Sequence, residues 1–393
     1  MTTSTVTFPP PTVDADGLPD LAALAPMDVG GRADRLRAQL AARRTDGGRA
    51  TALLVTSLTN IRYLTGFSGS AARLLVTDDA LLFVTDGRYA SQAPDQLRAA
   101  GVDAHIEIQA TAAAQDAALA AAIGGAGVST LGLEADHCTW AEARAYADTF
   151  DGVELEPLQG LVEALRIAKD PGEVARIEAA AMIADAALAS VRHRLLERPT
   201  ERAFALELDT AIRRFGASGN SFPTIVGSGP NGALPHMSPT DRVIDDGDLV
   251  VIDFGALVDG YCSDMTRTLC VGEPDATSAR MLSVVLEAQA AGVARAAAGV
   301  PATEIDAACR EIIAEAGWAD AFIHGTGHGV GLDIHEAPRV AGTSDAVVAV
   351  GEIITVEPGV YLPGHGGVRI EDTLVVLDDG ARALTHTDKR TAP

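Results

Sequence analysis

Lysine is nearly missing from this 393-residue chain: only Lys169 and Lys389 occur, so almost all of the 30 basic residues are arginines. Against them stand 54 acids, for a formal net charge of −24. Non-specific nucleic-acid binding depends on basic side chains that neutralise phosphates. No Lys/Arg block supplies them here, so a nucleic-acid partner is excluded. Cysteine is scarce too. Cys138, Cys262, Cys270 and Cys309 include no CxxC pair, which excludes a disulfide scaffold and a thiolate metal cluster; Cys262 and Cys270 read as small buried residues of strands. No run is long and apolar enough to span a membrane, and the opening MTTSTVTFPPPTVDADG lacks the basic and apolar regions of a signal peptide. The expected location is the cytoplasm. The chain also lacks GxGxxG after a first strand, GxxxxGK[ST] and a GxSxG elbow, so neither nucleotide binding nor a serine nucleophile is supported. Aromatics are only 4%, but 47% of residues are hydrophobic. A large core can therefore be built, mostly from Ala, Leu and Val.

The pattern along the chain divides in three. Residues 1–28, with the Pro9–Pro11 run, read as an extended or disordered arm. Residues 29–157 alternate helical and strand-like segments, as in a small α/β domain with its own sheet. Asp78-Asp79 is the turn between two β-type runs, and Gly124-Gly125 is the stop of an Ala-rich helix that starts at Ala112. Residues 158–393 open on two helices divided at Asp170-Pro171-Gly172. A helix with Thr200 and Glu201 in its first turn follows, then strands, two more helices and late strands. This half is α plus antiparallel β, so the fold class is α+β with a smaller N-terminal α/β domain.

Four acids carry the chemistry. In VVIDFGALVDGYCSDMTRT, Asp259-Gly260 signals a hairpin turn. A mirror point between residues 258 and 259 sets Asp253 directly opposite Asp264, with Cβ atoms about 5 Å apart. In TVEPGVYLPGHGGVRIEDT a mirror at Gly364 sets Glu357 opposite Glu371. Buried carboxylates that close repel unless a cation lies between them, and four converging acids suit a pair of divalent ions. The segment HGTGHGVGLDIHEAP alternates histidine with glycines that permit close backbone approach. His328, the most glycine-enclosed, is the expected nitrogen ligand. His335, and His236 in the Pro-flanked loop ALPHMSPTDR, suit roles around the substrate and a tetrahedral intermediate.

These segments resemble the pita-bread metallopeptidase family, which includes methionine aminopeptidase, aminopeptidase P and prolidase. DFGALVDGYCSDMTRT resembles its paired-aspartate hairpin, HGTGHGVGLDIHEAP its histidine segment, and ITVEPGVY with GVRIEDT its two glutamate strands. NIRYLTGFSGS, FVTDGRYASQA and PHMSPTDR are similar to segments of the proline-specific branch. The resemblance implies a pita-bread (creatinase/aminopeptidase-like) catalytic domain after an N-terminal domain of ribonuclease H-like or creatinase N-terminal type. It implies five metal ligands, Asp253, Asp264, His328, Glu357 and Glu371, holding two divalent ions, usually Mn²⁺, with Co²⁺, Zn²⁺ or Fe²⁺ as alternatives. A hydroxide shared by the ions would attack the carbonyl of the residue before proline. Glu357 would carry the proton, His236 and His335 would steady the scissile bond, and His324 would line the proline pocket. Arg369 would pair with an acid of the site or a substrate terminus, and Thr266 would touch the metal site. The implied activity is an Xaa-Pro aminopeptidase, with an Xaa-Pro dipeptidase (prolidase) as the alternative, acting as a homodimer on peptides with proline second. Another hydrolase activity and a metal-free binding protein are the remaining rivals.

Overall fold

Short apolar runs bounded by turn residues build the first sheet. The computed structural model describes residues 6–389. It divides into two units, Met27–Arg166 and Met1–Pro26 together with Ile167–Pro393. In the Met27–Arg166 unit the strands are β1 (Ala52–Val55), β2 (Ala72–Val76), β3 (Leu81–Thr85), β4 (His105–Ile108), β5 (Thr130–Glu134) and β6 (Glu154–Leu158), in the order β4-β3-β2-β1-β5-β6. The β1–β2 and β2–β3 pairs are antiparallel and the rest parallel. The helices are α1 (Arg32–Thr45), α2 (Leu58–Thr65), α3 (Gln92–Ala99), α4 (Ala112–Gly125), α5 (Trp140–Thr149) and α6 (Leu161–Arg166). Ser57 caps α2 and Gly66 ends it in the left-handed region. The α4 helix absorbs Gly124 and Gly125, and the chain turns instead at Gly127, with φ +62°.

Two differences from the sequence reading concern boundaries. The units divide at Arg166/Ile167 rather than at 157/158, because β6 pairs with β5 and α6 packs against α1. The arm is not free chain. Its residues 1–5 lie outside the described residues, but from residue 6 it docks on the Ile167–Pro393 part of its own unit. Phe8 is buried against Gly351, its carbonyl accepts from Arg382, and the Ala25 carbonyl accepts from Arg176.

The larger unit holds α7 (Pro171–Val191), α8 (Glu201–Arg214), α9 (Ala276–Arg295) and α10 (Ala302–Glu315). Asp170 caps α7 in a reciprocal box with Glu173, with Pro171 at the first helical position. Its strands are β7 (Gly219–Asn220), β8 (Ile225–Ser228), β9 (Leu249–Phe254), β10 (Ala256–Val258), β11 (Tyr261–Cys262), β12 (Met265–Cys270), β13 (Gly327–Gly329), β14 (Glu336–Val340), β15 (Ile353–Val356), β16 (Gly359–Leu362), β17 (Gly366–Arg369), β18 (Asp372–Leu377) and β19 (Gly380–Ala383). They form sheets ordered β11-β10-β7, β12-β9-β8, β14-β13-β15-β18-β19 and β16-β17. Every strand pair among the described residues of this unit is antiparallel. One apolar core joins α7 and α8 to β8, β9 and β12; a second joins α9 and α10 to β15–β18. Fully buried side chains such as Phe204, Phe254 and Ile354 each contribute about 1.5–3 kcal/mol. Each core thus backs strands that carry or directly flank two of the four acids.

Candidate active site

The first acidic hairpin departs from the expected register. Asp259 and Gly260 take φ +47° and +77°, so the two-residue turn centres between them and pairs Val258 with Tyr261. The ladder continues with Thr266 opposite Asp253. Asp264 therefore sits diagonally from Asp253, on the same face but not directly across, because a change of two residues preserves the face. The second hairpin pairs Gly359 with Arg369 and Val356 with Asp372. Glu357 and Glu371 lie at the matching register between those ladders, about the expected Gly364.

The four carboxylates and four histidines, His236, His324, His328 and His335, line one cleft of about 640 Å³. One ligand atom each from Asp264, His328 and Glu371 lies within 4.8 Å of the others. His328 donates from Nδ1 to the Gly329 carbonyl at 3.0 Å. That bond fixes the proton on Nδ1 and leaves the Nε2 lone pair facing Asp264 at 3.5 Å and Glu357 at 3.4 Å. Gly327 sits in β13 because any side chain there would collide with the Thr355 carbonyl. Asp306 of α10 steadies the same segment, accepting from the Thr326 N–H at 3.1 Å and its hydroxyl at 2.8 Å.

One oxygen of Asp253 and one of Glu371 are anchored, and the other is not. Asp253 Oδ2 accepts from Arg369 Nη2 at 2.6 Å, and Glu371 Oε2 from the Thr266 hydroxyl at 2.7 Å. Asp253 Oδ1 and Glu371 Oε1 are buried without a hydrogen-bond partner among the described residues. A buried carboxylate oxygen left so is costly; a cation satisfies it. Electrostatics agree. Burial, then repulsion from Glu371, Asp253 and Glu357, pushes Asp264 well above the usual carboxylate range. Burial, then Glu357 and Asp253, does the same to Glu371. Burial lifts Glu357 to about 7 and lowers His328. Such a cluster is stable with all its acids ionised only around positive charge, so the donor set fits divalent metal.

The remaining expected residues fall into place around it. His236 and His335 are exposed and line the cleft. The His335 ring meets His328 edge-on at 4.4 Å between centroids, and the adjacent Glu336 is held by the buried Lys169 at 3.1 Å. His324 lines the cleft, but both its nitrogens are engaged: Nδ1 donates to the Gly325 carbonyl at 2.7 Å, and Nε2 accepts from the Tyr361 hydroxyl at 2.9 Å. Burial drops His324 to about 4, so its ring is neutral. Arg369 was expected to meet either an acid or a substrate terminus, and it meets the acid. Its guanidinium is consumed by Asp253, the Thr266 and Tyr361 hydroxyls at 3.0 and 2.9 Å, and the Pro235 carbonyl at 3.3 Å. Tyr361 and Arg339 were not singled out in the sequence. Tyr361 carries no signal beyond a strand aromatic. Arg339 is one arginine among many, yet it is exposed on the cleft wall and makes no ion pair or hydrogen bond with its side chain among the described residues.

Comparison with known proteins gives this geometry its relatives. Residues 175–378 match Metallopeptidase family M24, and residues 32–168 match the Creatinase/Prolidase N-terminal domain. The chain is 41% identical over 260 residues to the Xaa-Pro dipeptidase of Pyrococcus furiosus, covering 66% of this chain and 74% of that one. The solved structure of Xaa-Pro dipeptidase from Bacillus anthracis superposes with a TM-score of 0.86 at 38% identity, covering 92% of this chain and 98% of that one. X-Pro aminopeptidase from Thermotoga maritima superposes with a TM-score of 0.82 at 32% identity, covering 89% and 99%. No helix among the described residues is long and apolar enough to cross a membrane. With two core-backed acidic hairpins, a histidine strand between them and these matches over both units, the chain belongs to metallopeptidase family M24.

Proposed function

We propose that the chain is an Xaa-Pro dipeptidase: a metallopeptidase that hydrolyses the bond between an amino acid and a C-terminal proline. Asp253, Asp264, His328, Glu357 and Glu371 hold two divalent ions, with Mn²⁺ the first choice for this oxygen-rich set. When bound, the ions supply Lewis-acid activation of water and of the scissile carbonyl. Glu357 takes a proton at its carboxylate and returns it to the departing proline nitrogen. His236 and His335, on the cleft wall, donate toward the carbonyl oxygen as charge develops there. A dedicated site suits this bond, since the tertiary amide has no N–H for an ordinary peptidase to grip.

Arg339 is the observation that favours the dipeptidase over the aminopeptidase expected from the sequence. Arg369, the buried cation of the cleft, is committed to Asp253. Arg339 has no such commitment, and a guanidinium free on the wall suits the carboxylate of a terminal proline. The likeness to two Xaa-Pro dipeptidases supports the same choice; the likeness to the Thermotoga maritima aminopeptidase supports the second reading. The deciding assay uses chelated enzyme with Mn²⁺ restored, offered an Xaa-Pro dipeptide and an Xaa-Pro-Yaa tripeptide. Turnover of the dipeptide alone is expected, and efficient cleavage of the tripeptide would establish the aminopeptidase. Arg339→Ala should raise KM for the dipeptide roughly tenfold to a hundredfold, the worth of a charged hydrogen bond. An unchanged KM would remove the carboxylate role.

A further inference from the structure

Glu201 was read as a first-turn acid suited to a helix N-terminus. In the fold it does open α8, and it is fully buried, its carboxylate engaged by another segment of the chain. Its Oε1 accepts from the Ser228 N–H at 2.8 Å, the Ser228 hydroxyl at 2.7 Å and Asn231 Nδ2 at 3.1 Å. Its Oε2 accepts from the Thr240 N–H at 3.0 Å, the Thr240 hydroxyl at 2.6 Å and the same Asn231 amide at 3.1 Å. Ser228 ends β8, and Thr240 stands where the chain returns to α8, its carbonyl accepting from the Arg202 N–H. One carboxylate thus grips both ends of a single segment.

That segment contains His236 and its neighbours Pro235, Met237, Ser238 and Pro239, all lining the cleft. Pro230, Pro235 and Pro239 remove three backbone donors from it. Outside its short 3₁₀ helix, Gly229–Ala233, its backbone bonds to itself are few: Leu234 N–H to the Asn231 carbonyl at 3.0 Å and Met237 N–H to the Leu234 carbonyl at 3.4 Å. Past that helix the loop is placed by what holds it: Glu201 at its two ends and Arg369 at the Pro235 carbonyl. Burial pushes the Glu201 carboxyl up, but the bonds from Thr240 and Ser228 outweigh it and leave the group below its ordinary value. The clamp is therefore an anion, and charged acceptors make the stronger bonds.

We propose that Glu201 is a positioning residue for hydrolysis, a buried carboxylate clamp that sets the His236 segment against the cleft. The proposal rests on the role given above to His236. None of the five proposed metal ligands lies on α8 or in the segment, so the clamp acts on geometry and not on metal loading. Glu201→Gln replaces one oxygen with a donor that faces donors. In the Mn²⁺-loaded full-length enzyme it should lower kcat roughly tenfold to a hundredfold, as misplacement of a catalytic group does, with the metal content of wild type. Thr240→Val removes one hydroxyl only and keeps the test open if Glu201→Gln folds poorly; its loss should be smaller and in the same direction. The specific readout is coupling. Either substitution should cost little further in a His236→Ala background. If His236→Ala alone keeps the wild-type kcat, the role of His236 fails and the clamp with it. If His236→Ala is impaired but the Glu201 and Thr240 variants lose as much in that background as in wild type, or lose metal with turnover, the clamp alone is overturned.

Discussion

In the first acidic hairpin the tip is a residue pair, Asp259-Gly260, and the acids Asp253 and Asp264 end up diagonal, with Thr266 across from Asp253. In the second the mirror falls on one residue, Gly364, and Glu357 and Glu371 share a register. The offset has a use. It leaves the Thr266 hydroxyl on the acid face of the first hairpin, where it reaches Glu371 of the second. The second hairpin answers with Arg369, which reaches Asp253 of the first. Each hairpin thus anchors one acid of the other, by a neutral bond in one direction and an ionic one in the reverse.

The most severe break is to remove an acid that faces the cation. Asp264→Ala should abolish turnover and reduce bound metal, measured by elemental analysis beside the peptide assay. Full metal with normal rates would refute the shared site. Next come the two cross-anchors. Arg369→Met strands the Asp253 charge in a buried setting and should cost about 3–5 kcal/mol of folding stability. Thr266→Val leaves Glu371 short of one neutral donor and should cost only about 1–3 kcal/mol. Denaturant melts of the two proteins compare the anchors directly, and equal losses would show that the ionic character is unimportant. The smallest effect is a pH trend in chelated protein. Glu357 is raised from near 4.5 to about 7, so the folded apoprotein holds its proton more tightly than the unfolded chain does. That contribution is complete below about pH 4.5 and is lost as pH rises through 7. The Tm of the apoprotein should therefore fall across this window. With Mn²⁺ present the trend should reverse, because the ligands bind metal as anions.

The acids, the turn at Asp259-Gly260 and the glycine-spaced histidines were legible because each depends on local chemistry: a carboxylate in an apolar strand, a left-handed turn, a backbone that must approach closely. The register of the first hairpin was readable in principle, since a two-residue turn fixes it, but it was placed one residue too early. Other features were beyond a one-dimensional reading. Tyr361 matters only because His324 and Arg369 fold onto its hydroxyl. Arg339 matters because no other side chain among the described residues claims it. Glu201 has the same sequence context as any first-turn acid, and its role comes from Ser228 and Thr240, which arrive later in the chain. Solvent exposure and partner choice are tertiary facts.

The docked arm bears on how the protein is made. Phe8 and Arg382, joined through a backbone carbonyl, are 374 residues apart in the chain, and the whole of the smaller unit lies between the arm and the rest of its own unit. During synthesis the arm leaves the ribosome before the smaller unit and finds Arg382 only after that unit has followed it. The smaller unit has all its sequence far sooner and can fold in the meantime. The arm's docking closes a loop of 374 residues and belongs among the last events of folding. A ribosome stalled before residue 382 would hold a nascent chain whose arm is still open to proteases.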